Sequence, residues 1–145
     1  MKKLVLFLIC VFTVSVYSFA DNDKAIQVGE LPMNAQSFIT KYFKGQKVAM
    51  VKQESGLFYK NYDVIFTSGE KLEFDGSGNW SEVKSLKGGV PSEIIPSQIK
   101  EYLKANYPDE KVLQIERSKN EYEVKLSNKW EIKFDSKFRV IDIDD

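Results

Sequence analysis

The chain has 145 residues with 21 basic and 21 acidic side chains, one cysteine and no histidine. These counts exclude histidine-dependent catalytic sites such as the Ser-His-Asp triad, and the familiar zinc ligand sets. They also exclude a disulfide framework. Basic and acidic residues are equal in number, and the sequence contains no basic stripe of the kind found on nucleic-acid-binding surfaces.

Residues 1–20 have the pattern of a cleaved signal peptide. Lys2 and Lys3 precede an apolar stretch that is too short for a membrane span, and Ser18-Phe19-Ala20 is a small-x-small cleavage site. The only cysteine, Cys10, lies inside the apolar stretch, not after it as a lipidated cysteine would. We therefore predict cleavage after Ala20, localisation in the periplasm or outside the cell, and no membrane span in the mature chain.

The mature chain is predicted to contain the same set of elements twice. Residues 21–30 are polar and have no period, which predicts a flexible leader. Proline then opens an amphipathic helix at Pro32 and another at Pro96. Each helix is followed by four strands, predicted at 48–51, 58–66, 71–74 and 80–83 in the first copy and at 111–117, 121–126, 129–134 and 138–143 in the second.

These elements predict one α+β domain over residues 31–145. Its two αββββ repeats, about 31–84 and 95–143, are joined by a short Gly/Pro linker. Alternation along the strands predicts one continuous antiparallel sheet, with two helices packed on one face and an open polar face on the other. Val51 in the first copy matches Ile115 in the second, 64 residues later, whereas Tyr62 matches Tyr122, 60 residues later. The first hairpin of the first copy is therefore four residues longer than its counterpart in the second.

The turn phrase of the first repeat is similar to that of a known family. Its residues are Gly69, Phe74, Asp75, Gly78 and Trp80. The second repeat keeps the Phe-Asp pair at 134–135 but has Lys, Phe and Val at positions 129, 138 and 140. Together with the Leu-Pro that opens the first helix and a Tyr-x-Val strand, the phrase resembles the PepSY-like proteins over about residues 31–143.

This resemblance implies a secreted bacterial protein with the fold of the β-lactamase inhibitory protein and a concave, open sheet face. It also suggests a protein partner, such as a secreted or periplasmic hydrolase. The resemblance brings no catalytic residues and no cofactor. We therefore expect a non-enzymatic binding module, which could act as an inhibitor. The alternative is a small-ligand or envelope-stress sensor that uses a cavity between helix and sheet.

The predicted contact residues lie on the open face: Tyr59, Ile65, Lys71 and Lys133. Apolar anchors within a polar rim are typical of protein-binding surfaces. A shift of one residue in strand register would instead bury Tyr59 and Ile65. No metal site is predicted. Asp75-Gly76-Ser77-Gly78-Asn79 resembles the start of a calcium loop, but Trp80 stands at the position of the required glycine and Leu86 at that of the bidentate glutamate, so the segment indicates a hairpin turn.

Overall fold

The computed structural model describes residues 22–145, so the predicted signal peptide and its cleavage site lie outside the described residues. Residues 22–145 contain two helices, α1 (Met33–Tyr42) and α2 (Ser97–Asn106), together with 3₁₀ turns at Val28–Glu30 and Ser92–Ile94. The strands are β1 (Lys24–Ile26), β2 (Val48–Ser55), β3 (Lys60–Phe66), β4 (Lys71–Phe74), β5 (Trp80–Lys84), β6 (Val112–Arg117), β7 (Glu121–Leu126), β8 (Glu131–Asp135) and β9 (Val140–Asp144).

All nine strands form one antiparallel sheet in the order β1 to β9. The predicted α+β class, with one continuous sheet and two helices, is confirmed. Each helix precedes four strands, and β-bulges lie at matching places in β4–β5 and β8–β9. The halves meet at the β5–β6 pair, where three residue pairs are in register.

Both helices pack on the same side of the sheet, where they share one hydrophobic core. The buried side of α1 contributes Ala35 and Ile39, and that of α2 contributes Ile99 and Leu103. Aromatic contacts join each helix to a sheet phenylalanine. Phe38 meets Phe74 and Tyr102 meets Phe134, in both cases with ring centroids 5.5 Å apart and nearly perpendicular rings. Such edge-to-face pairs add to the apolar burial that holds the helices in place.

The prediction of a flexible leader at residues 21–30 was wrong for the part that the structure describes. β1 pairs with β2 through Lys24 with Gln53, Ala25 with Lys52 and Ile26 with Val51, and a 3₁₀ turn follows. A three-residue edge strand has too few residues to display a period. Such a strand is held by backbone hydrogen bonds to the neighbouring strand, so the types of its own side chains do not predict it.

Other boundaries differ because turns, and not side-chain patterns, set them. β2 continues to Ser55, since the hairpin closes only at Gly56, whose N–H donates to the Tyr59 carbonyl over 2.9 Å. β8 and β9 begin two residues later than predicted. Lys129 and Phe138 occupy turn positions with φ of 77° and 63°, outside the extended region.

Candidate functional site

The face of the sheet opposite the helices is open. Along β3 the side chains of Tyr62, Val64 and Phe66 are buried in the core, while Asp63 and Ile65 alternate with them on the other side. The same alternation runs through the second half, so the predicted division between buried and open faces is correct. The open face is the surface that the packing of this chain leaves for interaction.

A row of carboxylates crosses this open face. Directly opposed residues on five successive strands, β3 to β7, are all acidic: Asp63, Glu73, Glu82, Glu116 and Glu123. Opposed side chains on neighbouring antiparallel strands have Cβ atoms about 5 Å apart, and like charges in that position are destabilising. We call these five residues the carboxylate row.

Lysines form ion pairs with the carboxylates at the two ends of the carboxylate row. Lys71 lies 3.8 Å from Asp63 and 3.5 Å from Glu73, measured from Nζ to the carboxylate oxygens. Lys133 lies 3.8 Å from Glu123 at the other end. Two of the predicted contact residues, Lys71 and Lys133, are thus ion-paired to the row instead of being free to meet a partner.

The centre of the row has no such compensation. Among the described residues, the salt bridges include neither Glu82 nor Glu116. Burial, followed by the nearby carboxylates of Glu73 and Glu116, raises the pKa of the Glu82 carboxyl to about 7. Burial also raises the pKa of Glu123, with Glu116 as the next cause. Glu82 and Glu116, which have no ion pair among the described residues, therefore form the middle of the row, and the raised pKa of Glu82 lets it take up a proton near neutral pH.

An open depression of about 280 Å³ lies over this centre. Its lining includes Glu82, Glu116, Arg117, Tyr122 and Ser81. Arg117 is held in place rather than free, because its Nε donates to the Trp80 carbonyl at 2.7 Å and its guanidinium lies 4.1 Å from the centroid of the Trp80 ring. The depression is polar and shallow, which suits contact with a protein surface better than enclosure of a small molecule.

The two apolar residues predicted as contacts occupy different places. Ile65 lies on the open face, is partly buried, and is opposed to Met50 and Lys71. The position predicted for Tyr59 on the sheet face was wrong. Tyr59 lies in the β2–β3 turn, and its ring covers Gly56 so closely that a Cβ there would be 2.0 Å from Cε1. The turn spans residues 56–59 and β3 begins only at Lys60, a boundary that alternation alone does not reveal.

The β2–β3 turn carries the most exposed apolar side chains of the described chain. Leu57 is 87% exposed and Phe58 is 93% exposed, beside Tyr59 at 52%. We call these three residues the hairpin tip. The hairpin is longer than its counterpart by two residue pairs, because Glu54 pairs with Asn61 and Ser55 with Lys60 beyond the level where the β6–β7 hairpin turns.

Sequence reasoning named Tyr59 but missed Leu57 and Phe58 of the hairpin tip, and it also missed the centre of the carboxylate row. The extra four residues, followed by three consecutive apolar residues after Gly56, are the signal that could have identified the tip. Glu82 and Glu116 are 34 positions apart, and only the β5–β6 pairing brings them together. Within a single strand, acidic residues and lysines that share the open face are typical of solvated surface, so no local pattern indicates the row.

The residues that the structure describes contain no group of three or more acidic or other metal-ligating side chains placed to hold a metal ion. The 75–79 segment is a hairpin turn, as predicted: Oδ1 of Asp75 accepts hydrogen bonds from the backbone N–H groups of Ser77 and Asn79, each at 2.9 Å. Asp135 makes the same two bonds in the second half. Both carboxylates therefore serve to close turns.

The open nine-stranded antiparallel sheet with two helices on one face defines an α+β protein of a known family. Residues 60–142 match the family described as "Putative beta-lactamase-inhibitor-like, PepSY-like". The chain belongs to this PepSY-like family, which confirms the resemblance seen in the turn phrases.

Solved structures of Bacteroides proteins are similar to this chain. A "putative periplasmic protein" of the DUF2874 family from Bacteroides vulgatus is 58% identical, with a TM-score of 0.85 over 87% of this chain and 99% of the other. A "putative calcium-regulated periplasmic protein" from Bacteroides thetaiotaomicron is 56% identical, with a TM-score of 0.83 over 86% and 98%. A third, from Bacteroides vulgatus and "of unknown function", is 38% identical, with a TM-score of 0.81 over 86% and 100%.

No protein of curated function matches the chain. The solved relatives support a periplasmic setting, since their descriptions say so. None of the helices in residues 22–145 is long and apolar enough to cross a membrane.

Proposed function

We propose that this chain is an exported, non-enzymatic binding module that engages a protein partner through the open face of its sheet. The observation that carries the proposal is the carboxylate row, in which acidic residues of five neighbouring strands are directly opposed. This arrangement costs the free chain stability, and the packing of the core does not require it. A partner that presents lysine or arginine side chains would relieve the repulsion.

The hairpin tip supplies the apolar part of the proposed surface. Leu57 and Phe58 are almost fully exposed on a projecting turn that Tyr59 and Gly56 brace. A projecting apolar anchor beside a charged surface is the usual composition of a protein interface, because burial of the anchor contributes affinity and the charges contribute specificity. A secreted or periplasmic hydrolase with a basic rim is the partner that family membership suggests.

A ligand-binding sensor is less well supported. Such a sensor needs a cavity between the helices and the sheet, yet the core residues Ala35, Val64, Ile99 and Val124 are 0% exposed. A depression of about 250 Å³ does lie beside α2, with Leu103 and Val112 in its lining, but it is open to solvent and not enclosed. The two tryptophans do not line the depression on the open face either. Trp80 packs against Phe38, and Trp130 lies beside Tyr107.

The proposal is tested by affinity capture from periplasmic extract and culture supernatant, using residues 21–145 as bait. Glu116→Lys/Glu123→Lys reverses the charge at two of the five positions of the row, and Glu93→Lys/Glu101→Lys makes the same charge change at exposed positions outside the sheet. We expect one protein to be captured by the wild type and the control but lost from the row variant, and to elute as salt is raised.

Equal capture by all three baits would place the binding surface elsewhere and contradict the proposal. A further variant, Leu57→Ser/Phe58→Ser, separates the contributions. If the tip is an anchor, capture should weaken by about tenfold or more at every salt concentration, since loss of apolar burial is not screened by salt.

A further inference from the structure

The junction between the two halves of the sheet carries a pair of opposed glutamates. β5 and β6 are in register over Glu82 with Glu116, Val83 with Ile115, and Lys84 with Gln114. One of the three registered pairs that hold the halves together is therefore a pair of like charges. Repulsion between Glu82 and Glu116 acts directly on this short β5–β6 pairing, which joins the two halves.

The surroundings of Glu82 add to this repulsion. Glu73 is opposite it on β4, and Glu123 is opposite Glu116 on the next strand beyond. Glu73 raises the pKa of Glu82 mainly through its charge, and to a smaller extent because a protonated Glu82 carboxyl can share its proton with Glu73. A carboxyl pair that shares one proton has exchanged a repulsive contact for an attractive one.

The cations nearby compensate the Glu82 charge only in part. Lys71 on β4 is attracted to Glu82 but makes its ion pairs with Glu73 and Asp63. Arg117 on β6 is engaged by Trp80, and Lys84 is next to Glu82 on the same face of β5 but forms no salt bridge with it within 4.0 Å among the described residues. The only polar contact to Glu82 from β6 is the neutral one from Gln114 Nε2, at 3.3 Å.

We propose that the β5–β6 junction is a pH-sensitive joint, in which protonation of the Glu82 carboxyl removes the repulsion across the centre of the carboxylate row and tightens the contact between the two halves. The joint is a property of the free chain, so it stands or falls independently of any partner. It would make the fold more stable and the open face less negative as the surroundings of the exported protein become acidic.

The sign of the effect follows from proton binding. Burial and the carboxylates of Glu73 and Glu116 raise the pKa of Glu82 from 4.5 in the unfolded chain to about 7 in the fold. Between these two values the folded state binds the proton more tightly, so stability rises as the pH falls through this window. An ordinary ion-paired carboxylate changes stability in the opposite direction and at lower pH.

The test measures the thermal midpoint of residues 21–145, which contain every element of the described fold, between pH 8 and pH 6. The wild type should gain about 3–6 °C on acidification. Glu82→Gln, which carries no charge at either pH, should start from a higher midpoint at pH 8 and lose at least half of this gain. Glu101→Gln removes one exposed carboxylate from α2 and should keep the full gain.

A second measurement reports the site directly. The Glu82 side-chain carboxyl carbon, followed by NMR against pH in the wild-type chain, should titrate with a midpoint above 6. A wild-type thermal midpoint that does not change between pH 8 and 6, a Glu82→Gln chain that keeps the wild-type gain, or a Glu82 midpoint below 5 would each overturn the proposal.

Discussion

Lys129 adopts a backbone conformation that is unfavourable for any residue other than glycine. It has φ of 77° in the β7–β8 turn, whereas the equivalent turn of the first half has Gly69 with φ of 92°. A non-glycine residue in this region is strained by about 1–2 kcal/mol, because its Cβ approaches the following carbonyl oxygen. The second half therefore keeps the shape of the turn without the residue best suited to it.

We expect Lys129→Gly to stabilise the protein by about 0.5–1 kcal/mol, since relief of the strain exceeds the entropic cost of an additional glycine. Urea unfolding provides the measurement. Lys137→Gly, in the β8–β9 turn but without positive φ, is the matched control and should be neutral or destabilising. A destabilised Lys129→Gly chain would mean that the backbone strain at this turn is negligible.

Gly78 is required for a different reason, the close approach of α1 to the β4–β5 turn. A Cβ at this position would lie 2.7 Å from Pro32 Cβ and 3.0 Å from the Ala35 nitrogen, and φ is 85°. Gly78→Ala should therefore cost at least about 2 kcal/mol in the free energy of unfolding. Gly88→Ala, where nothing lies within 4 Å, should cost much less in the same denaturation experiment; similar losses at both positions would argue against this packing.

At the scale of elements, the β2–β3 hairpin differs most between the halves. Its two extra residue pairs add about 7 Å to the hairpin at the usual rise per strand residue, and they present the hairpin tip beyond the sheet. Natural turns of this length are usually built from glycine, asparagine, aspartate or serine. We therefore expect the apolar side chains of this turn to contribute little to folding and to be available for interaction.

Replacement of the hairpin tip should leave the fold intact. Leu57→Ser/Phe58→Ser removes side chains that make little contact with the core, so we expect the free energy of unfolding to change by less than about 0.5 kcal/mol. Leu72→Ser, at a fully buried position of β4, should cost several times more. If the tip variant were as unstable as Leu72→Ser, the tip would have to pack in solution against another part of the chain.

At the scale of the whole molecule, one core crosses both halves. The buried cluster includes residues from α1 and β2–β5 as well as from α2 and β6–β8, among them Phe66, Phe74, Ile115 and Phe134, and Val140 of β9 packs against it. A continuous sheet and a shared core favour cooperative unfolding, even though the halves have the same order of elements and each has its own aromatic contact between helix and sheet.

We therefore expect a single unfolding transition in guanidinium chloride. Trp80 reports on the first half and Trp130 on the second, so the fluorescence of a Trp80→Phe chain and of a Trp130→Phe chain should give coincident midpoints after correction for any change in stability. Far-ultraviolet circular dichroism provides a third probe that is insensitive to either tryptophan. Two separated transitions would show that the halves unfold independently.

The sequence by itself determined the fold class, the two helices and the division between buried and open faces. These features arise from short-range periodicity, which each segment carries alone: Ala35 and Ile39 repeat at helical spacing, and Val64 and Phe66 alternate with polar residues. Turn chemistry around Asp75 and Gly78 was also visible, because it depends on residues within a single loop.

Only the tertiary structure decided the composition of the site. β1 exists because β2 offers it a partner, and the carboxylate row exists because strand pairing places Glu82 beside Glu116 and Glu73. Like-charge opposition depends on register between distant segments, and a shift of one residue would have removed it. The raised pKa of Glu82 and the exposure of Phe58 follow in the same way from neighbours, or their absence, that no local pattern encodes.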